Sequence, residues 1–514
     1  MSNDITTFAG LIESQAEKLA DETFVLFEDQ EISFATFNAQ VNRVANGLRD
    51  LGCGKDTGVS IMMENAPEWL YVHFGVQKVN AYSVPVNTGL KGEGLKHIIS
   101  HSDSSVLIID DTFLDVIADI RDDLTKVKYV IVNRTGATAG DEDELTLQKL
   151  MANSSEDNPQ VAIENGPIST ILYTSGTTGL PKGVVSRYRE FHDEGIFFFL
   201  QPRSTLYTCL PLFHANALEI STIHALSGGH RLALAKRFSA SRFFDDIRRY
   251  KVDTFNALGA MITILMKQPE RKDDADNPAT VVISAACPVS EWEAFESRFG
   301  VKLFEGYGAV DGGGYNVFNV GTSPVGSVGK PSVPYRLVDD EGNDVAQGES
   351  GELIFEIDDP ERRSVEYYKN PEASSKLVKD GWFYTGDLLH ADADGNLFFD
   401  DRKTDSLRRR GENVSAWEVE RDINKHDAVL ESAVVGVKSD LGEDDVMAFI
   451  QLKPGTSVTP DELIAHCKGL MAEFMVPRYL EFRDEFPKTG THRTQKAVLK
   501  KEGVGPNTWD REKA

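Results

Sequence analysis

Residues 173–183 have the composition and spacing best suited to chemistry in this chain. These eleven residues include four Ser or Thr hydroxyls, three glycines and one lysine, and a short apolar run at 168–172, which predicts a buried strand, precedes them. Glycines let backbone N–H groups turn toward an anion, hydroxyls donate hydrogen bonds to it, and lysine supplies a positive charge. The segment is therefore predicted to hold phosphates, and ATP is the ligand that it favours.

The order of residues in this loop excludes a Walker-type phosphate loop. A Walker loop has glycine directly before its lysine and Ser or Thr directly after it. Here Pro181 precedes Lys182, and Gly183 follows it. An exposed turn without function is the simpler alternative for a single glycine-rich segment, so the rest of the chain has to decide between the two.

Further motifs follow one another along nearly the whole chain. They are Ser33-Phe34-Ala35-Thr36-Phe37, Met63-Glu64-Asn65-Ala66-Pro67-Glu68, Val84-Pro85-Val86-Asn87, Pro211-Leu212-Phe213-His214-Ala215-Asn216, Ala285-Ala286-Cys287-Pro288, Glu305-Gly306-Tyr307-Gly308, Val325-Gly326-Ser327-Val328-Gly329-Lys330-Pro331, Gly381-Trp382-Phe383-Tyr384-Thr385-Gly386-Asp387, Asp401-Arg402-Lys403 and Arg410-Gly411-Glu412-Asn413-Val414. With residues 173–183, this ordered set resembles the signature of the adenylate-forming superfamily. That superfamily includes acyl-CoA synthetases, luciferase-like enzymes and the adenylation domains of peptide synthetases.

The resemblance implies an α/β fold with two domains. A large N-terminal α/β domain of several subdomains would span 1–401, and a small α+β lid domain would span 402–514. Strand-like runs at 106–109, 129–132 and 281–283 alternate with helical segments, which agrees with α/β layers. In the superfamily a carboxylate attacks the α-phosphate of MgATP, giving an acyl-adenylate and pyrophosphate. The lid then rotates and a thiol takes the acyl group.

The resemblance also assigns residues to the nucleotide. Tyr307 would stack on adenine with the backbone near Ala286 on the other side, and Asp387 and Arg402 would bind the ribose. A turn residue after a glycine is the alternative for Asp387. The whole predicted cofactor-binding set is Thr174, Ser175, Gly176, Thr177, Thr178, Gly179, Lys182, Ala286, Gly306, Tyr307, Gly308, Asp387, Arg402, Gly411 and Glu412.

Three positions near the nucleotide and the domain boundary depart from the superfamily pattern. Where the superfamily has Thr-Glu, with the glutamate helping to hold magnesium, this chain has Val310-Asp311. Aspartate is still a hard oxygen ligand suited to Mg²⁺, although it is one methylene shorter. The hinge position, usually Lys or Asp, is Thr404. Asp311 is thus the predicted metal ligand, and a hinge needs only a tolerant backbone.

The fourth departure concerns a catalytic lysine near the C-terminus. In the superfamily this lysine bridges the substrate carboxylate and the α-phosphate during adenylation, and matching the motif places Arg493 there, after His492. Arginine keeps the charge but has a bulkier, planar head group. Lys496 is the alternative donor. Arg493, Asp311 and Lys182 are therefore the predicted catalytic residues.

Coenzyme A is the predicted acceptor of the acyl group. The chain shows no carrier-protein segment after the lid, and Phe213-His214 stands where peptide synthetases usually have Phe-Asp. The resemblance places Gly411, Glu412 and Asn413 along a pantetheine tunnel. The candidates for the CoA phosphates are Arg187, Arg189, Arg408, Arg409 and Arg410. A solvated surface is the alternative for the run 408–410.

The acid substrate is less defined than the nucleotide. The predicted substrate residues are Phe213, His214, Asn216, Leu258, Gly259, Ala260 and the stretch 311–315 with Gly312, Gly313 and Gly314. The glycines leave room for a bulky acyl group, or they serve backbone geometry instead. The run 410–415 resembles the crotonobetaine/carnitine-CoA ligase branch, and Tyr315 with Asp311 would then meet a quaternary ammonium.

Composition limits the partners. With 81 acidic and 54 basic side chains, the net charge is −27, which argues against nucleic acid, because phosphate backbones require a basic surface. No apolar run approaches the ~20 residues of a membrane span, and the start of the chain lacks a secretory signal pattern. A cytoplasmic enzyme acting on a small carboxylic acid, ATP and CoA is expected, with a place in fatty-acid metabolism and with a homodimer left open.

Two other functions remain open at this point. An adenylating enzyme that uses another acceptor than CoA would share every nucleotide motif. A catalytically impaired homologue that only binds a nucleotide or acyl-CoA is the other alternative, and Val310, Asp311 and Arg493 favour it. The intact loop, Tyr307 and Asp387 argue against it.

Overall fold

The computed structural model describes residues 7–136, 143–174, 180–188, 198–357, 365–402, 406–487 and 494–513. Within the first 300 residues helices alternate with strands. In chain order these elements are α1 (Phe8–Lys18), β1 (Thr23–Phe27), β2 (Gln30–Ser33), α2 (Phe34–Asp50), β3 (Gly58–Met62), α3 (Pro67–Lys78), β4 (Tyr82–Pro85), α4 (Gly92–His101), β5 (Ser104–Asp110), α5 (Leu114–Ala118), β6 (Tyr129–Asn133), α6 (Leu147–Ala152), β7 (Ile168–Thr174), β8 (Lys182–Arg187), β9 (Thr205–Thr208), α7 (His224–Ser227), β10 (Arg231–Leu234), α8 (Phe243–Arg249), β11 (Thr254–Leu258), α9 (Gly259–Met266), β12 (Val281–Ala285) and α10 (Val289–Phe299).

Strands dominate the remainder, with short turns and a few helices between them. These elements are β13 (Lys302–Tyr307), β14 (Val317–Asn319), β15 (Tyr335–Val338), β16 (Gly351–Glu356), α11 (Pro371–Lys376), β17 (Val378–Lys379), β18 (Trp382–Ala391), β19 (Leu397–Arg402), β20 (Ser406–Arg409), β21 (Glu412–Ser415), α12 (Ala416–Ile423), β22 (Val429–Lys438), β23 (Asp444–Leu452), α13 (Pro460–Leu470), β24 (Tyr479–Phe482), α14 (Lys496–Glu502) and β25 (Trp509–Asp510).

Two largely parallel sheets form the body of the large domain. One has eight strands in the order β14-β13-β12-β11-β9-β10-β1-β2, and the other has six in the order β6-β5-β3-β4-β7-β8. The strands β14, β2 and β8, all at sheet edges, run antiparallel to their neighbours. The strands predicted at 106–109, 129–132 and 281–283 are confirmed as β5, β6 and β12.

Helices α2 and α3 join the two sheets through one apolar core. The start of α2 is fixed by Ser33, whose hydroxyl accepts a 3.1 Å hydrogen bond from the Thr36 N–H, as expected of an N-cap. Its apolar positions recur at helical spacing and are buried together with residues of α3 and of both sheets. The core thereby fixes the carboxyl ends of the parallel strands, where the predicted site residues lie.

A third sheet lies beside these two and leads into the small domain. Its strands are ordered β15-β16-β18-β17, with β19 also paired to β18. Beyond it, β20 and β21 form a hairpin, and β22, β23, β24 and β25 form a sheet packed against α12, α13 and α14. A large α/β N-terminal domain and a small C-terminal domain were predicted from the sequence, and both are confirmed.

No helix in the described ranges is long and apolar enough to cross a membrane.

Candidate active site

The predicted phosphate loop connects two antiparallel strands. β7 and β8 pair with Thr174 opposite Lys182, so the loop begins and ends at neighbouring backbone positions. Thr174 and Lys182 lie at its two ends, whereas the predicted ligands Ser175, Gly176, Thr177, Thr178 and Gly179 lie outside the described residues. The structure therefore fixes the position of the loop through its two ends, Thr174 and Lys182.

Lys182 and Asp311 are brought together by a tyrosine that the sequence analysis missed. The Tyr367 hydroxyl donates a 2.7 Å hydrogen bond to Asp311 Oδ2, and Lys182 Nζ lies 4.9 Å from the centroid of the Tyr367 ring. Burial, and then the Asp311 charge, raise the pKa of Tyr367, so the phenol stays protonated and donates. A β-bridge between Tyr367 and Val184 places this tyrosine here, and no local pattern marks it.

Asp311 has the donor chemistry for magnesium. The part of the chain that the structure describes contains no group of three or more His, Cys, Asp or Glu side chains that could hold a metal ion. Mg²⁺ in nucleotide enzymes is commonly bound through one or two carboxylates together with phosphates and waters. A single carboxylate beside a phosphate loop fits that mode, so Asp311 is compatible with the predicted metal role.

Tyr307 and Asp387 are in direct contact. The Tyr307 hydroxyl donates a 2.8 Å hydrogen bond to Asp387 Oδ2, joining the end of β13 to the middle of β18. Asp387 is 7% exposed, and its backbone pairs with that of Arg402 in β19. The Arg402 side chain lies outside the described residues. The two residues predicted to meet adenine and ribose are thus in contact with each other.

The backbone around Ala286 is held by close packing. Ala286 has a φ of +62°, which is uncommon for a residue with a side chain. A Cβ atom on Gly259 would lie 1.9 Å from the Ala286 carbonyl oxygen, so only glycine fits at the start of α9. Glu305 accepts a 3.2 Å hydrogen bond from the Cys287 N–H, and burial raises the pKa of Glu305 to about 7. Close packing and this hydrogen bond therefore hold the backbone of the predicted adenine wall.

The two glycines that flank Tyr307 are also explained by close approach. A Cβ atom on Gly306 would lie 2.9 Å from the Phe318 ring, and one on Gly308 would lie 2.2 Å from Asn316 Oδ1. Phe318 lies on β14, which runs antiparallel to β13, and Asn316 directly precedes this strand. The glycines thereby let this chain pack directly beside Tyr307.

The predicted acid-binding residues lie at neighbouring strand ends. The rings of Phe213 and His214 are 4.8 Å apart, and Leu258 ends β11. Asn216 begins a π-helix at Asn216–Ile223, and its carbonyl oxygen accepts a 3.2 Å hydrogen bond from the Asn256 amide. A π-helix in this position is notable because such helices often accompany functional sites.

The glycine run at 312–314 serves backbone geometry. Gly313 and Gly314 have φ values of +64° and +70°, and a Cβ atom on Gly312 would lie 2.9 Å from the Ala309 carbonyl oxygen. These positions require glycine for the turn itself. Of the two explanations that the sequence left open, the conformational one is supported by the structure.

Tyr315 corrects one prediction. Its ring is 3% exposed, stacks on Phe355 at 4.4 Å between centroids, and its hydroxyl donates to the Glu356 carbonyl at 2.7 Å. The side chain therefore belongs to the core of the third sheet. The expectation that Tyr315 presents an aromatic face to a quaternary ammonium is wrong.

The small domain reaches the acid-binding residues through its β20–β21 hairpin. Glu412 Oε1 lies 2.9 Å from His214 Nε2, and Glu412 Oε2 accepts a 3.0 Å hydrogen bond from the Asn87 amide. At the hairpin turn Arg410 and Gly411 have φ values of +53° and +82°, as a two-residue type I′ turn requires. A Cβ atom on Gly411 would lie 2.4 Å from Leu258 Cδ1. The hairpin tip therefore faces the predicted acid pocket.

A short segment of the large domain forms a seat for the small domain. We call residues 87–94 the domain seat. A Cβ atom on Gly89 would lie 3.3 Å from the Phe474 ring, one on Gly92 3.4 Å from the Leu470 carbonyl oxygen, and one on Gly94 3.7 Å from Glu418 Oε1. The approach is tight at Gly89, whereas a Cβ atom at Gly92 or Gly94 would meet the small domain at ordinary contact distance.

The arginines proposed for the CoA phosphates differ in availability. Arg409 is 2% exposed, donates to the Val476 carbonyl at 2.7 Å and pairs with Asp445 at 3.1 Å, so its assignment to a CoA phosphate is wrong. Arg410 is exposed, and its closest paired oxygen, in Glu512, is 3.8 Å away. Arg187 forms a bidentate pair with Glu366. Arg189 lies outside the described residues.

Arg493 and the hinge residue Thr404 also lie outside the described residues, as does the side chain of Asn413. Lys496, the alternative catalytic donor, is described: its Nζ pairs with Glu420 at 2.8 Å, within the small domain. Thr494 donates a 2.7 Å hydrogen bond to Glu431 in the same domain.

Comparison with known proteins finds matches along most of the chain. A family model described as AMP-binding enzyme matches residues 12–357, and one described as AMP-binding enzyme C-terminal domain matches 418–493. The crotonobetaine/carnitine–CoA ligase of Salmonella paratyphi B is 30% identical over 499 residues, which cover 93% of this chain and 96% of that protein.

Solved structures show the same architecture. An anthranilate CoA ligase in complex with anthranoyl-AMP is 27% identical with a TM-score of 0.71, covering 96% of this chain and 97% of that one. A double mutant of the o-succinylbenzoate CoA synthetase of Bacillus subtilis, bound with a product analogue, shares the fold with a TM-score of 0.81 at 22% identity, covering 97% and 99%. This chain therefore belongs to the AMP-binding enzyme family, the adenylate-forming superfamily that its motifs resemble.

Proposed function

We propose that this protein is an ATP-dependent acyl-CoA ligase of the AMP-forming class. Two groups of contacts support the proposal. Tyr307 contacts Asp387 at the predicted nucleotide end, and the β20–β21 hairpin contacts His214 and Leu258 at the predicted acid end. An acid bound beside His214 would have the nucleotide on one side and the small domain on the other. Such a site suits two successive group transfers.

In the first transfer an oxygen of the acid attacks the α-phosphorus of ATP. The bond to the bridging oxygen of the β-phosphate breaks, and pyrophosphate leaves with that electron pair. Lys182 and the loop N–H groups would stabilise the phosphate charge, and Tyr367 would hold Asp311 in place. Magnesium, when bound, would neutralise further phosphate charge, and Asp311 is the residue that would hold it.

In the second transfer the CoA thiol loses its proton, and its sulfur attacks the acyl carbon. A C–S bond forms, the C–O bond to AMP breaks, and AMP leaves. We propose that the hairpin position described above serves this step, because Glu412 and Gly411 then border the acid. The first step would need the small domain to turn, with the chain pivoting near Arg402, the boundary that we propose between domains 1–401 and 402–514.

The acid itself is proposed only as a class. The crotonobetaine/carnitine–CoA ligase and the anthranilate CoA ligase act, by their names, on a betaine and on an aromatic acid. Because Tyr315 is buried, the described residues give the betaine no aromatic face at that position. We therefore propose a small-molecule carboxylic acid and assign it to neither of these two classes. Three further properties stay predictions from the sequence: a cytoplasmic location, a place in fatty-acid metabolism and a homodimer. Light scattering would measure the oligomeric state.

The test of the proposed function is pyrophosphate release with medium-chain, aromatic and betaine-type acids, with and without magnesium and with and without CoA. We expect release that depends on magnesium and on one class of acid, with thioester formed only when CoA is present. Release with that acid but no thioester would point to another acceptor. ATP binding without release for any acid would contradict the proposal and favour a binding protein.

Glu412 provides a prediction for the second step. Glu412→Ala removes both hydrogen bonds that tie the hairpin to His214 and Asn87, which are worth roughly 1 kcal/mol each. We expect thioester formation from preformed acyl-adenylate to slow by about 30-fold, with pyrophosphate release unchanged. The matched control is Glu473→Ala, which removes an exposed glutamate of the same domain. Equal losses in both half-reactions would contradict the assignment.

A further inference from the structure

Helix α4 lies between the domain seat and the predicted phosphate loop. Its first residue, Gly92, belongs to the seat, and its last residue, His101, lies beside β7. Two histidines one turn apart, His97 and His101, stack with ring centroids 4.8 Å apart. Neither was assigned a role by the sequence or by the reaction described above.

Both histidines contact an end of the phosphate loop. His97 Nε2 lies 3.0 Å from the carbonyl oxygen of Pro181, and a carbonyl oxygen only accepts hydrogen bonds, so His97 donates. Pro181 directly precedes Lys182. His101 Nδ1 lies 2.8 Å from the hydroxyl of Tyr173, which directly precedes Thr174. One helix therefore contacts the residues on both sides of the loop.

The surroundings of His97 and His101 favour the neutral imidazole in both. Burial lowers the pKa of His97, with the Arg421 charge acting in the same direction. Burial lowers the pKa of His101 to about 4, with the charge of His97 adding to it. A neutral His97 carries one ring proton, and the Pro181 carbonyl places that proton on Nε2. The tautomer is thus fixed by the loop contact.

A loop rich in glycine is costly to order around a ligand, because glycine loses the most backbone freedom when it is fixed. Contacts that fix the ends of such a loop before the ligand arrives reduce this cost. A hydrogen bond to the Pro181 carbonyl also fixes the peptide group that leads into Lys182. The Lys182 ammonium can then be aimed without further rearrangement.

We propose that His97 is a positioning residue for ATP: its Nε2–H holds the Pro181 carbonyl and thereby sets the phosphate loop and Lys182, while His101 holds the other end through Tyr173. The proposal rests on the proposed function, in which this loop binds the phosphates of ATP. His97 acts through the loop and touches no reacting atom.

The experiment compares His97→Phe with His97→Gln. Phenylalanine keeps the ring stack but loses the donor, whereas the glutamine amide presents an N–H at a reach similar to that of Nε2. We expect His97→Phe to raise the KM for ATP about 3- to 10-fold, the usual effect of one lost hydrogen bond. The KM values for the acid and for CoA should stay unchanged, as should thioester formation from preformed acyl-adenylate. His97→Gln should restore the KM for ATP to within about twofold of the wild type.

The melting temperature of each variant separates positioning from folding. If His97→Phe does not fold, Tyr173→Phe tests the other end of the loop, because it removes only the hydroxyl that contacts His101, and it should raise the KM for ATP in the same direction. An unchanged KM for ATP would overturn the proposal, as would a His97→Gln variant as impaired as His97→Phe, or an equal rise in the KM for CoA. If the wild type releases no pyrophosphate with any acid, the proposed function fails instead. The ATP dissociation constants of the same variants, measured by calorimetry, then still decide the role of His97.

Discussion

Replacing Asp387 with alanine should raise the KM for ATP by about 150-fold or more, since the proposed role of its carboxylate is to accept hydrogen bonds from two ribose hydroxyls, each worth roughly 1.5–3 kcal/mol. The carboxylate is nearly buried and hydrogen-bonded to the Tyr307 hydroxyl, so the proposed contact with the sugar would need little rearrangement. Steady-state kinetics with varied ATP measures the change. The KM for CoA should be unaffected, because the thiol is proposed to enter from the hairpin side.

Two variants serve as controls for Asp387→Ala. Tyr307→Phe removes the phenol that contacts the same carboxylate but keeps the ring for adenine, and we expect its KM for ATP to rise less than about threefold. Asp387→Asn keeps the shape of the side chain but loses its charge, so it should fall between the other two. If Asp387→Ala bound ATP normally, the carboxylate would be only a turn residue, the alternative that the sequence left open.

Arg493→Ala should lower the rate of adenylation about 100-fold, the usual cost of removing one donor that acts on the transition state. Thioester formation from preformed acyl-adenylate should change little, because the bridge between the acid and the α-phosphate is no longer needed then. Pyrophosphate release and thiol transfer, measured separately, check the two halves. Equal loss in both would contradict the assignment.

Lys496→Ala is the matched control for Arg493. The Lys496 ammonium pairs with Glu420 on α12, so this lysine has a partner within its own domain. We expect its removal to lower stability slightly and to leave adenylation within about threefold of the wild type, because partly exposed ion pairs contribute roughly 0–1 kcal/mol. A large loss of adenylation in Lys496→Ala alone would instead make Lys496 the donor.

Two of the residues predicted for the nucleotide could be found from the sequence because they lie in compact motifs. Tyr307 and Asp387 each follow or precede glycine in a short pattern, and they are in contact in the structure. Tyr367 was missed because its position depends on a β-bridge to Val184, which is distant in the sequence, and its hydroxyl then reaches Asp311. The Asn87–Glu412 contact joins residues 325 positions apart, and no local pattern reports such a pairing.

The arginine run carries a signal for burial in its spacing. Leu407 and Arg409 are two residues apart on β20, so their side chains share one face of the strand. Leu407 is buried in the core of the small domain, and Arg409 is buried with it. The alternation of side chains along a strand therefore separates buried Arg409 from Arg408, whereas Arg410 lies beyond the strand, in the hairpin turn. Tyr315 gave no comparable signal, because its partner Phe355 lies on another strand.

The domain seat also has a consequence for redesign of the enzyme. Its contact with the small domain is tightest at Gly89, where a Cβ atom would lie 3.3 Å from the Phe474 ring. Larger residues at Gly89 should disfavour the arrangement of the two domains that we propose for thioester formation, and should leave the nucleotide residues untouched. Such a variant would stop after the first chemical step and accumulate the activated acid. Eight residues of backbone thereby offer a way to uncouple the two halves of the reaction.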